Sequence, residues 1–471
     1  MSATSPIPED SAPWRDVLGG GRLPSFALIM LGIWLMAADA LVTSTIMPSV
    51  GADLEGYAWF GWATSGYLTG VVAAGACAGW LSSRIGLRIA MIGAGLLLAV
   101  GCMISALGPD IEIFVAGRVV QGLGAGWVAG FCYVTINLVF DTRFLVRVFA
   151  AATSVWGIAT FVGPLIGGLF ADAGNWRGVF WAFAAQAVLF SLAAARLVPR
   201  GDRRAGRGGV PVAQIALIAG GVSAIATAGV TDSMALRIIL APLGLAMLGL
   251  ALAVDRRVAD RLLPREAGDF RTLLGAAYAT YFTMAAAAVG YAIYAPAILR
   301  YTNGLSALEA GYVVAIEALA WTLAALAVAG SGARWRRRWI VIGSLTVPAA
   351  LTLLALVMAS GDLMLIALGG ALLGAAFGVS FAFISRTVMA SLIEEERATG
   401  SGAIGAVRDA GSATGAAIVG IAASLTGFAD GLTDASVAGA GFWVCAVGVP
   451  LGIVGAVAAS RLVRLVPAGK A

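Results

Sequence analysis

No histidine occurs in the 471 residues, so proton chemistry near neutral pH falls to carboxylates, with arginine as the fixed positive charge. Charge of either sign is scarce: 12% of residues are charged, against about a quarter in an ordinary soluble domain. With 60% hydrophobic residues and a mean hydropathy of +0.93, this excludes both a solvated globule and a disordered chain. The four cysteines, Cys77, Cys102, Cys132 and Cys445, all lie inside apolar runs without disulfide or metal-ligand spacing. The glycine-rich runs lack the Gly-Lys-Ser/Thr ending of a phosphate-binding loop.

What the chain does have is apolar length. Stretches able to cross hydrocarbon, about 20 residues each, lie near 25–49, 60–82, 88–107, 111–139, 146–170, 177–197, 210–230, 235–254, 271–299, 308–330, 338–359, 362–390, 400–427 and 438–460. This predicts about fourteen spans, with both termini on one side. The first run lacks a short apolar region followed by a small-residue cleavage site, so no removable signal peptide is expected. Sixty-three glycines fit close helix contacts in such a bundle.

The arginines orient it. Arg84 and Arg88, Arg143 and Arg147, Arg196 to Arg207, Arg256 to Arg271, Arg334 to Arg338, and Arg461 with Arg464 fall in alternate connections. The opposite connections carry Asp53, Glu55, Asp110, Glu112, Asp172, Asp232, Asp362, Asp430 and Asp434. The positive-inside rule makes the arginine side cytoplasmic. This accounts for the net charge of +5 and pI of about 9.2 without a nucleic-acid partner. Arg334-Trp335-Arg-Arg-Arg338 reads as a lipid-headgroup anchor. Trp59, Trp62, Trp176, Trp335 and Trp339 read as interfacial belt residues.

The spans divide as a cytoplasmic tail 1–24, a six-helix bundle 25–197, a basic linker 198–209, two additional helices 210–254, a second basic linker 255–270, a second six-helix bundle 271–464 and a tail 465–471. Glycines recur in the fourth span (Gly122, Gly124, Gly126, Gly130) and in its counterpart (Gly369, Gly370, Gly374, Gly378). The expected fold is all-α and integral to the membrane: two pseudo-symmetric six-helix bundles plus a two-helix insertion, with a substrate path between the halves.

Residues 156–168 place Gly157, Gly163, Pro164, Gly167 and Gly168 inside an apolar run. In water a proline there would break the helix at roughly 3 kcal/mol. In lipid the backbone must stay helical, so the segment reads as a kinked helix pressed against a neighbour. The run resembles the antiporter signature of the major facilitator superfamily, in the branch of drug:proton antiporters with fourteen spans. Arg118-Val-Val-Gln121-Gly122 is similar to that branch's Arg-x-x-Gln-Gly signature, Asp39 and Pro48 keep its acid-to-proline spacing, and Asn175-Trp176-Arg177 resembles its turn into helix six. Arg408, Gly411 and Gly415 sit where the branch has an arginine followed by glycines. The turn from Gly79 to Arg88 matches the superfamily's commonest motif in Gly79, Arg84, Gly86 and Arg88. It departs in Ser83, where an aspartate is usual, and in Leu87, where a basic residue is. In the family that aspartate latches the halves on the cytoplasmic side. Serine supplies no charge, although its hydroxyl could cap the facing helix end, so a weakened latch and an inward-opening preference are expected.

The resemblance implies a secondary transporter rather than an enzyme: a monomer in a bacterial-type plasma membrane that exports small lipophilic or cationic compounds and needs no cofactor beyond protons. It gives Asp39 and Arg118 coupling roles; a structural pairing of Arg118 is the competing reading. Glu317, mid-span, has no family position to carry over. A membrane acid there reads as a second proton site or a contact for a cationic substrate, with Trp321 one turn away offering a cation–π face; a pairing with a bundle arginine is the structural alternative. Thr43, Gln121, Tyr281, Met284, Tyr291, Trp321, Arg408 and Asp409 are candidate cavity residues. Arg408 and Asp409, adjacent on a helix, point about 100° apart and should not simply neutralise one another. For Tyr294 and Tyr301 a helix seam or an interfacial aromatic end is at least as good a reading as a cavity lining. A nutrient importer coupled to protons or sodium, a lipid or siderophore exporter, and a sensor that has lost transport would share the fold.

Overall fold

The computed structural model describes residues 14–199, 209–258, 260–393 and 396–466. Most of the basic linker 198–209, and much of the tails 1–24 and 465–471, fall outside the described residues. The first half comprises α1 (Trp14–Leu18), α2 (Leu23–Asp53), α3 (Phe60–Ile85), α4 (Leu87–Leu107), α5 (Ile111–Val139), α6 (Thr142–Asp172) and α7 (Trp176–Leu197). A hairpin of α8 (Val212–Val230) and α9 (Met234–Asp255) follows. The second half comprises α10 (Leu273–Asn303), α11 (Ala307–Val328), α12 (Ala333–Val357), α13 (Leu363–Ser391), α14 (Arg397–Ser424) and a final span broken at Val447 into α15 (Asp434–Ala446) and α16 (Gly448–Leu465). Side-chain caps at Asp110, Asn175, Ser233, Thr272, Ser306, Asp362 and Thr433 set where helices begin, as backbone donors without a turn before them require.

Twelve spans among the described residues are long and apolar enough to cross a membrane, α15 and α16 counting as one. The two other membrane-length helices, α3 and α14, fall outside that set. They pack against one another across the boundary between the halves, where they need lipid-like character least. The second seam between the halves is α6 against α11.

Internal symmetry shows in how glycines seat their neighbours. A side chain at Gly122 or Gly126 of α5 would collide with the carbonyls of Tyr67 or Val71 in α3; one at Gly374 or Gly378 of α13 would collide with those of Glu317 or Trp321 in α11. The same spacing thus brings equivalent helices into backbone contact in both halves. The α8–α9 hairpin lies over the α3–α14 seam: Val222, Ile225 and Ala226 pack on Ala413 and Ala417, with Trp62 and Leu68 at the edge. Arg237 ties it to Ser424 Oγ at 3.0 Å.

Both seams are closed at the acid-rich end and open toward the arginine-rich end. Gly61 abuts Ala416 and Gly420, and Gly168 abuts Leu308. Phe60 and Tyr57 of the first half interlock with Tyr294 and Phe428 of the second at centroid separations of 5.8–5.9 Å. About five turns along the same faces, at 3.6 residues per turn, Gly79 and Gly402 meet nothing, and neither does Gly157 below Pro164. The halves therefore diverge toward the end that carries Arg84 and Arg88.

Candidate functional site in the membrane interior

The first half holds a closed charge cluster. Asp39 of α2 and Arg118 of α5 are 1% and 2% exposed, and the guanidinium Nη1 donates to Asp39 Oδ2 at 2.8 Å. The same nitrogen donates to Gln121 Oε1 at 2.9 Å, and Gln121 Nε2 donates to Cys102 Sγ at 3.0 Å. The Tyr67 ring covers the guanidinium at 4.3 Å, a cation–π contact in a dry setting. Gln121 is fully buried behind this pair rather than lining a cavity. Asp39 and Arg118 sit on helices of one bundle, so rigid rocking of the halves leaves the pair intact.

The second half holds an open one. Glu317 of α11 is half-buried and has no hydrogen-bond or ion-pair partner among the described residues, so the arginine pairing considered above does not form. Trp321 stacks on Phe377 at 5.0 Å and leans on Phe381 at 5.5 Å; Phe381 in turn meets Tyr281 at 4.8 Å. The Tyr281 hydroxyl lies 2.6 Å from Ser385 Oγ and donates to the Phe381 carbonyl at 3.0 Å. Tyr291 is fully buried, its hydroxyl without a partner among the described residues and packed at Gly370.

Several expected positions move. Arg408 and Asp409 do neutralise one another: Nε and Nη2 reach Asp409 Oδ1 at 2.9 and 2.8 Å. The Cβ directions diverge, but the long arginine stem folds its head back to the adjacent carboxylate. Met284 is 2% exposed and faces Gly455 of α16, away from the space between the halves. Thr43 is buried in α2, and Tyr294 lies in the aromatic seam. Tyr301 is exposed at the helix end, donating to Asp434 at 3.0 Å. Ser83 donates to the Trp80 carbonyl of its own helix at 2.8 Å rather than capping a helix across the gap. Arg84 lies over Trp80, and Gly86 takes a positive φ of 87° that joins α3 to α4. Trp176 is buried and donates to Asp53 Oδ2 at 3.2 Å, so it is a structural anchor instead of a belt residue.

The Gly-Pro helix runs helical from Thr142 to Asp172 and packs on α2, with only marginal contact to α5. A side chain at Gly163 or Gly167 would meet Leu41, or Thr45 and the Val42 carbonyl; Pro164 faces Gly311 of α11. Its neighbours are thus one helix of its own bundle and one of the other half.

The sequence reading missed Tyr67, Cys102, Phe377, Phe381 and Ser385. Tyr67 and Cys102 carry no charge and sit among apolar residues, so only their proximity to Arg118 marks them. Phe377 and Phe381 do keep a four-residue spacing in α13 that puts them on one face, a signal shared with any buried seam.

Comparison with known proteins follows the same lines. The sequence matches the Major Facilitator Superfamily over residues 29–416. A probable multidrug-efflux transporter of Mycobacterium tuberculosis is 27% identical over 434 residues, covering 88% of this chain and 90% of that protein. The azole resistance protein 1 of Saccharomyces cerevisiae is 27% identical over 179 residues, 38% of this chain and 29% of that protein. Among solved structures, a D-xylose–proton symporter aligns with a TM-score of 0.67 at 17% identity, covering 94% of this chain and 98% of that one. A peptide transporter in complex with sulfate aligns at 0.69 and 14%, covering 94% and 95%. These last two share the fold. With the family matched across most of its length and twelve apolar spans in place, the chain is a multi-pass membrane transporter belonging to the Major Facilitator Superfamily.

Proposed function

We propose that the chain is a proton-coupled antiporter that exports small lipophilic or cationic compounds from a bacterial-type plasma membrane, working as a monomer with both termini in the cytoplasm. The observation that carries this reading is Glu317: a mid-span carboxyl, half-buried, with no cation opposite it among the described residues. A charge in that position is costly, and taking up a proton removes it. The long match to a protein named as a probable multidrug-efflux transporter supports the substrate class and direction.

With the arginine-rich end cytoplasmic, the structure corresponds to an inward-facing state. A proton arriving from outside neutralises Glu317, which lowers the cost of enclosing it as the halves close over the site and reopen inward. Substrate from the cytoplasm then takes the proton's place. Asp39 is a second proton carrier only when Arg118 swings off it. The aromatic row from Trp321 to Tyr281 gives a flat apolar surface beside the acid, suited to ring-bearing compounds.

Proteoliposomes with an acidic lumen test the reading. An antiporter concentrates a fluorescent lipophilic cation inside as protons leave. Glu317→Gln should lower that rate at least about a hundredfold, near 2.7 kcal/mol, and Asp39→Asn should lower it less. Dye moving outward together with protons would reject antiport.

A further inference from the structure

One carboxylate crosses between the halves, and it lies outside every motif considered so far. Asp172, the last residue of α6, accepts from the backbone N–H of Ala307 at 2.8 Å through Oδ1 and from that of Leu308 at 3.2 Å through Oδ2. These are the first two residues of α11, in the opposite half.

α11 has its own cap, and that cap is incomplete without Asp172. Ser306 Oγ accepts from the Glu309 N–H at 3.2 Å, Glu309 Oε2 accepts from the Ser306 N–H at 2.9 Å, and the Ser306 carbonyl takes the Ala310 N–H at 3.0 Å. The capping box thus leaves the Ala307 and Leu308 donors for another acceptor. Asp172 takes both. Its charge stands at the positive end of the α11 dipole and at the negative end of its own helix, a placement that α6 alone disfavours.

The approach is built into the Gly-Pro signature. Pro164, Gly168 and Asp172 succeed one another at intervals of four along one face of α6. Pro164 meets Gly311, Gly168 meets Leu308, and Asp172 reaches Ala307 and Leu308. A side chain at Gly168 would overlap the Leu308 backbone and hold the helix end out of reach. Beside it, Arg300 of the second half donates to Ser49 Oγ of the first at 2.9 Å, a neutral acceptor.

We infer that Asp172 is a state-setting residue: it caps α11 across the halves at the acid-rich end and holds the transporter closed there. The turn at Ser83 has no such carboxylate: its hydroxyl donates to the Trp80 carbonyl of its own helix. To open the acid-rich end, α11 must surrender two charge-assisted bonds to water; because Asp172 is exposed, water replaces part of what is lost.

The inference rests on alternating access and not on what is carried, so it is tested without substrate or gradient. Spin labels at Glu112 and Met364, both exposed at the acid-rich end of opposite halves, report the opening in the full-length protein in nanodiscs. In Asp172→Ala the ratio of long to short distances should rise about three- to tenfold over the parent. Asp172→Asn, which keeps one acceptor oxygen, should fall between. Melting temperature is followed alongside. An unchanged distance distribution in Asp172→Ala, with or without a drop in melting temperature, overturns the inference, because a purely local cap would lower stability without moving the halves. The same holds for an Asp172→Asn distribution that departs from the parent more than Asp172→Ala does. Failure here leaves the direction and coupling of transport untouched, since those are read by dye flux.

Discussion

The two halves treat a buried acid in opposite ways. Glycine contacts set the equivalence: as Gly122 and Gly126 seat Tyr67 and Val71, so Gly374 and Gly378 seat Glu317 and Trp321. Glu317 therefore stands where the first half has Tyr67. Four residues before the first glycine of each pair stand Arg118 and Gly370, and the space at Gly370 is taken by the Tyr291 ring. The first half has a guanidinium, an acid opposite it and an aromatic lid. The second has an acid, an aromatic ring and no guanidinium. In one cluster the ion pair is made, although Arg118 Nε and the Tyr67 hydroxyl have no partner among the described residues; the other keeps a carboxyl with no cation opposite it among those residues. The two bundles thus differ in an ion pair that is made and an acid that is left without one among the described residues.

This comparison breaks most severely at Arg118. Arg118→Ala leaves Asp39 buried without a cation, and we expect a loss of about 3–5 kcal/mol, read as a large drop in melting temperature in detergent. Adding Asp39→Asn should restore much of it; if the double variant is as unstable as the single, the pair is not the source. A smaller effect falls on the other half at Gly374. An added methyl overlaps the Glu317 carbonyl, and Gly374→Ala should cost about 1–3 kcal/mol as α11 and α13 are forced apart. Flux through this variant should fall along with stability, and further than in Gly122→Ala, the equivalent change. The mildest test is Tyr291→Phe. Its hydroxyl has no partner, so removal should change stability by no more than about 1 kcal/mol. A loss of several kcal/mol would mean the hydroxyl is bonded.

Much of this was legible in the chain. The spans needed only apolar length, and the expected 362–390 became Leu363–Ser391 behind the cap at Asp362. Glu317 is marked because a charge in lipid is expensive whatever surrounds it, and Asp39 and Arg118 by that cost together with the family resemblance. Pairings were not legible, since they depend on side-chain reach. Arg408 folds back on Asp409 against the divergence of their Cβ directions, and Met284 turns to α16 although it shares a rough stripe with Tyr281. Asp172 had been only one acid among nine on its side of the membrane. Nothing in its neighbourhood along the chain announces a helix from the other half.

The sequence by itself determined the membrane setting, the order of the helices, which connections carry the arginines and the residues whose burial would be costly; of about fourteen expected spans, twelve are apolar enough to cross among the described residues. Each follows from local composition, because lipid imposes its price on every residue independently. Only the tertiary structure decided which acid has a partner, which end is closed, and that α6 meets α2 and α11 instead of α5. Those outcomes depend on a few ångströms between segments far apart in the chain, where a glycine, a proline or the length of a side chain settles what can touch.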